Sequence, residues 1–388
     1  MRRMYTGIDI GTYHIKVVIA EPTDESGSLR IVGTGTSTSK GMRHGYIINA
    51  KDATKSIKEA VERAERSANV HIKSARVAIG GVGLDEIESE GEISLTQSGG
   101  EVTVSDIERV IRDSEQKSAS HLMNKKVVHA IPVSYKIDGK EVMGRPHGLR
   151  GSKLSVKTLL ITSLEQHLQD LIESVEAANI EVEDIMAAPL AASLVSLTKP
   201  QKMAGVVLAN IGAETVSIVV FENDIPVSVK ILPMGSSDIT NDIALSLQVP
   251  LTEAEQMKKG AITKTDISLK KVEAVVAGRL RDIFGIIDAH LKAIGRQRLL
   301  PAGIVITGGG SGLATAKDIA KATMKIPSQL GTLPTSTKTS SADATWAVAF
   351  GLCKWGRTTE ERDHSGGFAD MFGSLAKQIA KALRSLLP

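Results

Sequence analysis

The feature that most limits how this chain can fold is a unit that occurs twice, about two hundred residues apart: two β-rich runs joined by a short Gly- and Thr-bearing turn. Tyr5 to Ile10 and Ile15 to Ala20 flank Gly11-Thr12-Tyr13-His14. Gly205 to Ala209 and Val216 to Phe221 flank Asn210-Ile211-Gly212-Ala213-Glu214-Thr215, with a third strand expected from Ile225 to Leu232. β-Branched runs closed by such turns read as hairpins. The turn offers backbone N–H groups and a hydroxyl to an anion, and Asp9 just ahead of the first can hold a metal through water. One turn of this kind is equally an ordinary hairpin. Two in one chain point to related lobes facing each other across a nucleotide.

A third element supports that reading. Gly303 to Thr307 is expected as a buried strand ending in Gly308-Gly309-Gly310-Ser311 and opening a helix from about Ala314 to Ala322. Glycines there let backbone approach a flat ring or a sugar, although three glycines also make a plain strand-to-helix turn. The 388 residues suit two or three domains, and 42% hydrophobic content supplies real cores. No apolar run approaches the roughly 20 residues of a transmembrane helix. A single cysteine, Cys353, excludes an internal disulfide framework. A net charge of +3 and 3% aromatics argue against nucleic acid. The chain enters a strand within a few residues of Met1, without room for a signal peptide, so a cytoplasmic location is expected.

The last stretch has a different character. At about 100° per residue, Phe368, Met371, Phe372, Leu375, Ile379, Ala382, Leu383 and Leu386 share one face, with Lys377, Lys381 and Arg384 opposite. Such a helix either lies in a membrane interface or packs on the body of the protein. It follows a polar run, Arg357 to Ser365.

Between about Val82 and Glu165 lies a compact α+β pattern. Strands are expected at Glu86 to Leu95, Val127 to Tyr135 and Leu154 to Thr162. A capping box at Ser105-Asp106-Ile107-Glu108 is expected to open a helix carrying Ile107, Val110 and Ile111. The histidines His121, His129 and His147 lack a ligand spacing for a metal.

Taken together, the two turns and the glycine loop resemble the actin/Hsp70/sugar-kinase ATPases. Ala187 to Leu194 and Ala342 to Gly351 resemble that superfamily's two inter-lobe helices, rich in small residues. Within it the details resemble FtsA, the bacterial cell-division actin homologues. Met234 to Ala244 resembles the segment "GG..iT.DIA", and Glu253 to Gly260 resembles "AE..K..yG". Val127 to Gly139 and Gly148 to Leu154 resemble the inserted subdomain 1C, which is the specific part of the match. The terminal helix resembles the family's membrane-targeting sequence.

The resemblance implies an α/β, actin-like (ribonuclease H-like) two-lobed ATPase fold with an inserted α+β 1C subdomain and a C-terminal amphipathic helix. It implies subdomain 1A over 1–81 and 166–198, 1C over 82–165, 2A over 199–233 and 300–356, and 2B over 234–299. A linker over 357–367 and the membrane helix over 368–388 complete the division. ATP would be held by Gly11, Thr12, Lys16, Gly212, Ala213, Glu214, Thr215, Glu255, Lys258, Gly308, Gly309, Gly310 and Ser311. Mg²⁺ would be held through water by Asp9 and Asn210. Lys271 and Arg279, on a helix expected from Ser268 to Ile294, would receive the FtsZ C-terminal tail, although a solvated cationic face reads the same way. Phe368, Met371, Phe372, Leu375, Lys377, Ile379, Lys381, Leu383, Arg384 and Leu386 would meet anionic lipid on the cytoplasmic face of the membrane at the division site. Further implied partners are other copies of the chain in a filament and division proteins bound through 1C.

The second turn departs from the family's Asp-x-Gly-Gly-Gly-Thr at Asn210, Ala213 and Glu214, and His14 stands where the family often has Lys. Losing a carboxylate near the metal implies slow or absent ATP hydrolysis. A pilus-assembly homologue of the PilM kind is the nearer alternative, and a small-molecule kinase of this fold the more distant one.

Overall fold

The computed structural model describes residues 4–23, 28–95, 100–261, 268–333 and 344–365. Strands β1 (Tyr5–Ile10), β2 (His14–Pro22) and β3 (Leu29–Thr38) form a meander, followed by a small hairpin, β4 (Met42–Arg43) and β5 (Tyr46–Ile47). Helix α1 (Ala50–Ala68) leads to β6 (Ser74–Ile79). An insertion follows: β7 (Asp85–Ser94), α2 (Val104–Lys117), β8 (Lys125–Ile137), β9 (Lys140–Val142) and β10 (Lys153–Leu164). The chain returns through α3 (Glu165–Glu176) and β11 (Glu181–Ala187), then crosses by α4 (Ala188–Ser196) and α5 (Lys199–Ala204). The second lobe holds β12 (Val206–Ile211), β13 (Val216–Glu222), β14 (Ile225–Leu232), α6 (Ser236–Leu247), α7 (Leu251–Lys258) and α8 (Leu269–Ala293). It closes with β15 (Ile304–Thr307), α9 (Ala316–Met324) and β16 (Ser328–Leu330), and α10 (Ala347–Ser365) follows.

The two five-stranded sheets share one connectivity, β11-β6-β1-β2-β3 and β14-β13-β12-β15-β16. In each, the first strand of an antiparallel meander pairs in parallel with a fourth, and that with a fifth. The central strands are buried on both faces and read as continuous apolar runs, as sheets covered on both sides do. One core joins the first lobe to the inner face of the second sheet through α4 and α10. Another fills the outer face of that sheet beneath α6, α7, α8 and α9.

Small residues let α4 and α10 cross closely. A Cβ on Gly351 would fall 1.9 Å from the Ala191 carbonyl oxygen, and one on Gly7 of β1 would fall 2.1 Å from that of Ala349. No side chain fits at either point, so backbone meets backbone.

The insertion has its own sheet, β7-β10-β8-β9, and its own core around Val110, Ile111, Leu154 and Leu160 beneath α2. It is seated on the second lobe through β14. Glu86 accepts from the Val229 N–H at 2.5 Å and the Ser228 hydroxyl at 2.8 Å, and His290 of α8 bonds the same hydroxyl at 2.8 Å. Burial raises the Glu86 carboxyl above its usual range, although these hydrogen bonds and Lys230 oppose the shift.

Two local expectations need correction. The capping box of α2 is formed by Thr103 and Asp106, not by Ser105 and Glu108. The Asp106 carboxylate takes both the Thr103 N–H and its hydroxyl, at 3.0 and 2.6 Å, which starts the helix two residues earlier. The stretch from Arg357, expected as a linker, is helical through Ser365. Thr358 and Thr359 hydroxyls bond back to the carbonyls of Lys354 and Trp355, so this turn satisfies its own polar groups. The amphipathic segment with Phe368 to Leu386 lies outside the described residues. Among the described residues no helix is long and apolar enough to cross a membrane.

Replacing Gly351 tests the crossing. Gly351→Ala is expected to lower stability by about 1–3 kcal/mol through overpacking, seen as a lower denaturation midpoint. An unchanged midpoint would mean the helices can separate at no cost.

Candidate functional site

Between the lobes lies a cleft of about 800 Å³ into which both turns point. Each turn has four residues between paired strand ends, Ile10 with Ile15 and Ile211 with Val216. Each begins with a glycine whose Cβ would strike the carbonyl oxygen of the fourth residue, at 2.8 Å for Gly11 and 2.9 Å for Gly212. Glycine is therefore required at both. Asp9 and Asn210 hold equivalent places one residue before the strand ends.

The cleft collects Asp9, Gly11, Thr12 and Lys16 from the first lobe and Asn210, Gly212, Ala213, Thr215, Glu255 and Lys258 from the second, with Gly308, Gly309 and Gly310 on the glycine loop. Two expected residues turn away. Ser311 bonds the Gly308 carbonyl at 2.7 Å and braces the loop from within. Glu214 reaches out of the cleft to His44 at the β4–β5 tip. Lys271 and Arg279 lie on α8 outside the cleft. Lys271 is exposed, while Arg279 is committed to Asp242 of α6 by two bonds of 2.6 and 2.8 Å.

An ammonium and a helix N-terminus face the cleft. Lys16 donates to the Thr345 carbonyl at 2.8 Å, which fixes its ammonium at the wall. The second turn is bound to the start of α6, where Ser236 and Ser237 donate to the carbonyls of Gly212 and Ala213. That helix N-terminus lines the cleft, and its dipole favours negative charge there. Lys258 is spent internally: it donates to the Ser236 carbonyl, Thr240 and Glu255 at 3.0, 2.8 and 2.6 Å, and so locks α7 onto α6. Burial would raise the Glu255 carboxyl, but bonds from Lys258, Thr240 and Lys259 outweigh it and hold it below its usual range.

Asp9 is the only carboxylate of the Asp9–Asn210 pair. Burial raises its carboxyl above the usual range, and Lys16, its cross-strand partner, pulls partly the other way. One carboxylate and one amide suit a hard cation that brings most of its ligands as water and phosphate, as Mg²⁺ does. Among the described residues no group of three or more His, Cys, Asp and Glu side chains stands ready to hold a metal alone.

Sequence reasoning missed one wall. Leu269, Val272 and Val276 of α8, with Met257 and Leu313, make the far side of the cleft largely apolar, and Glu273 adds one carboxylate there. The spacing Val272, Val276, Leu280, Ile283 and Ile287 was a legible buried stripe, but its N-terminal end serves the cleft as well as the core. Gly80 and Gly81, which follow β6 as Gly308 and Gly309 follow β15, also line it.

The family model described as cell division protein FtsA matches residues 207–351, and the one described as the SHS2 domain inserted in FtsA matches residues 81–162. The FtsA of Pseudomonas aeruginosa is 31% identical over 357 residues, covering 87% of this chain and 84% of that one. The FtsA of Bacillus subtilis is 30% identical over 339 residues, covering 82% and 76%. Among solved structures, a PilM–PilN type IV pilus biogenesis complex aligns with TM-score 0.68 at 16% identity, over 92% of this chain and 99% of that one. An MreB of Spiroplasma citri bound to AMPPNP aligns with TM-score 0.55 at 13% identity, over 94% and 99%. These two likenesses establish the actin-like fold, and the PilM likeness extends no further.

The position of Asp9 has a consequence for stability. A carboxyl whose pKa is raised by folding stabilises the protein below its unfolded pKa, and that contribution is lost as pH rises through the folded pKa. Asp9→Asn is therefore expected to raise the melting midpoint of the ligand-free protein at pH 7, and to leave it unchanged at pH 3, below the ordinary carboxylate value. A lower midpoint at pH 7 would show that the ionised group is already well compensated.

Proposed function

The chain belongs to the FtsA family of bacterial cell-division proteins, and we propose that it is an ATP-binding scaffold that forms actin-like filaments and anchors FtsZ to the cytoplasmic membrane. The observation that supports this reading is the cleft between two like lobes, lined by both glycine turns, Lys16 and the α6 N-terminus, in a chain whose insertion matches the SHS2 domain of FtsA. The crests of the two turns, Lys16 and the α6 N-terminus bind the phosphates. Asp9 and Asn210 would hold Mg²⁺ through water. Adenosine lies between Gly308–Gly310 and the apolar end of α8, with Glu255 at the ribose. Closing the lobes on nucleotide stabilises the form that assembles, by mass action.

Hydrolysis is slow in this reading, because Asn210 replaces the second carboxylate that would order Mg²⁺ and the attacking water. Phosphate release from purified protein is expected at no more than about one turnover per minute, rising in Asn210→Asp. A fast wild-type rate would remove the assignment.

Residues 368–388 supply the membrane contact, an apolar face set against three cations. A single such helix binds reversibly, and filament formation multiplies it. Full-length protein is expected to sediment with anionic liposomes, more so with ATP, and protein truncated after Ser365 is expected to stay in solution. Equal sedimentation of both would refute the anchor.

For the FtsZ tail, the structure adds a competitor. The Asp242 carboxylate occupies the Arg279 fork, so an acidic peptide must share or displace it. Arg279→Ala is expected to weaken binding of an FtsZ tail peptide about tenfold, the worth of a charge-assisted pair, whereas Asp242→Asn should strengthen it. Unchanged affinity in both variants would place the peptide elsewhere.

A further inference from the structure

The third residues of the two turns, Tyr13 and Glu214, both reach the opposite lobe, Tyr13 from within the cleft and Glu214 at its rim. The Lys259 ammonium of the second lobe lies 5.6 Å from the centroid of the Tyr13 ring. In the other direction, the Glu214 carboxylate accepts the His44 backbone N–H of the first lobe at 2.5 Å. The His44 Nδ1 lies 3.3 Å from the Glu214 carbonyl oxygen and 3.9 Å from its carboxylate. Glu214 is thus held at two points by one residue of the opposite lobe.

The partner is built for this. β4 and β5 are joined by two residues, His44 and Gly45, with φ of 47° and 82°. Two positive values identify a type I′ turn, whose twist suits a tight hairpin and which leaves the tip N–H groups outside the ladder. Gly45 is pressed against the other side of the cleft floor, where a Cβ would fall 2.3 Å from the Gly81 Cα. Its N–H goes to the Thr12 hydroxyl at 3.1 Å. One rigid tip therefore holds the first turn through Thr12 and the second through Glu214.

We propose that Glu214 takes the place of a nucleotide's terminal phosphate as the anion that ties the second lobe to the first, so that the site accepts nucleoside diphosphates about as well as triphosphates. This rests on the nucleotide reading of the cleft. In a cleft of two facing turns, a terminal phosphate favours closure because its oxygens accept N–H groups from both lobes. Glycine at the third position leaves that task to the ligand. Here a carboxylate fixed to one turn makes a charge-assisted bond to the other lobe whether or not a ligand is bound. A fixed negative charge on the turn also opposes the extra charge of a third phosphate. Both effects reduce the advantage of the triphosphate.

The test measures calorimetric affinities of ADP and AMPPNP, each with Mg²⁺, for the wild type, Glu214→Gln and Glu214→Gly, together with amide exchange at His44 in ligand-free protein. The wild type is expected to bind the two nucleotides within about threefold, with the preference for AMPPNP rising about tenfold in Glu214→Gly, the worth of one hydrogen bond to a charged group. Glu214→Gln, which keeps an acceptor without the charge, should fall between. The His44 amide should exchange slowly in the wild type and faster in Glu214→Gly, while strand amides remain protected and so report a folded variant. A wild-type preference for AMPPNP of about tenfold or more, an unchanged ratio in Glu214→Gly, or a fast-exchanging wild-type His44 amide would overturn the proposal. Binding of neither nucleotide beside a protected His44 amide would overturn the nucleotide reading, and the specificity with it, while leaving the inter-lobe bond in place.

Discussion

Backbone contact between α4 and α10, at Ala191 and Gly351, sets the spacing of the two sheets on which the cleft depends. Helix α4 leaves the first lobe directly from β11 and packs on β12 and β13 of the second, while α10 lies against β1, β2 and β6. A side chain at the crossing would wedge the sheets apart, and the ends of β1 and β12 with them. The turns that follow those strands could then no longer address one ligand. Interiors are close-packed and transmit such displacements rather than absorbing them.

Around that crossing the molecule is a duplication in topology but not in chemistry. Equivalent strand positions carry Asp9 and Asn210, and their cross-strand neighbours are Lys16 and Ser217. The first lobe supplies both the carboxylate and the fixed ammonium. The second contributes a helix N-terminus and the braced Glu255–Lys258 pair.

Much of this was legible in the residues. The hairpins, the third strand and the glycine loop announce themselves through β-branched runs broken by Gly, because turn chemistry is local. What escaped depends on contacts far apart in sequence. Glu214 looks like a charge set among phosphates until His44, 170 residues away, is placed beside it. Arg279 reads as an open cation until Asp242 is brought to it by the packing of α6 on α8. The start of α2 was misplaced by two residues because Thr103 and Ser105 are equally good caps in isolation, and the Asp106 carboxylate chooses between them. The stretch after Arg357 looked like a tether because its residues are polar, but hydroxyls that bond back to the preceding turn, as those of Thr358 and Thr359 do, are no bar to helicity.

One feature of the fold bears on how the chain is made. Cys353 of α10 lies against the carbonyls of Tyr5 and Val18, at 3.3 and 3.4 Å, so nearly the whole sequence separates these partners. The core on the outer face of the second sheet, by contrast, draws only on residues from Val207 to Ile326. On a ribosome the second lobe can therefore complete that face while the first still lacks the helix that covers β1 and β2. Those strands wait with apolar surface uncovered until α10 has been made, the interval in which such surfaces aggregate and chaperones engage. Strands made before the second lobe are among the last to be covered.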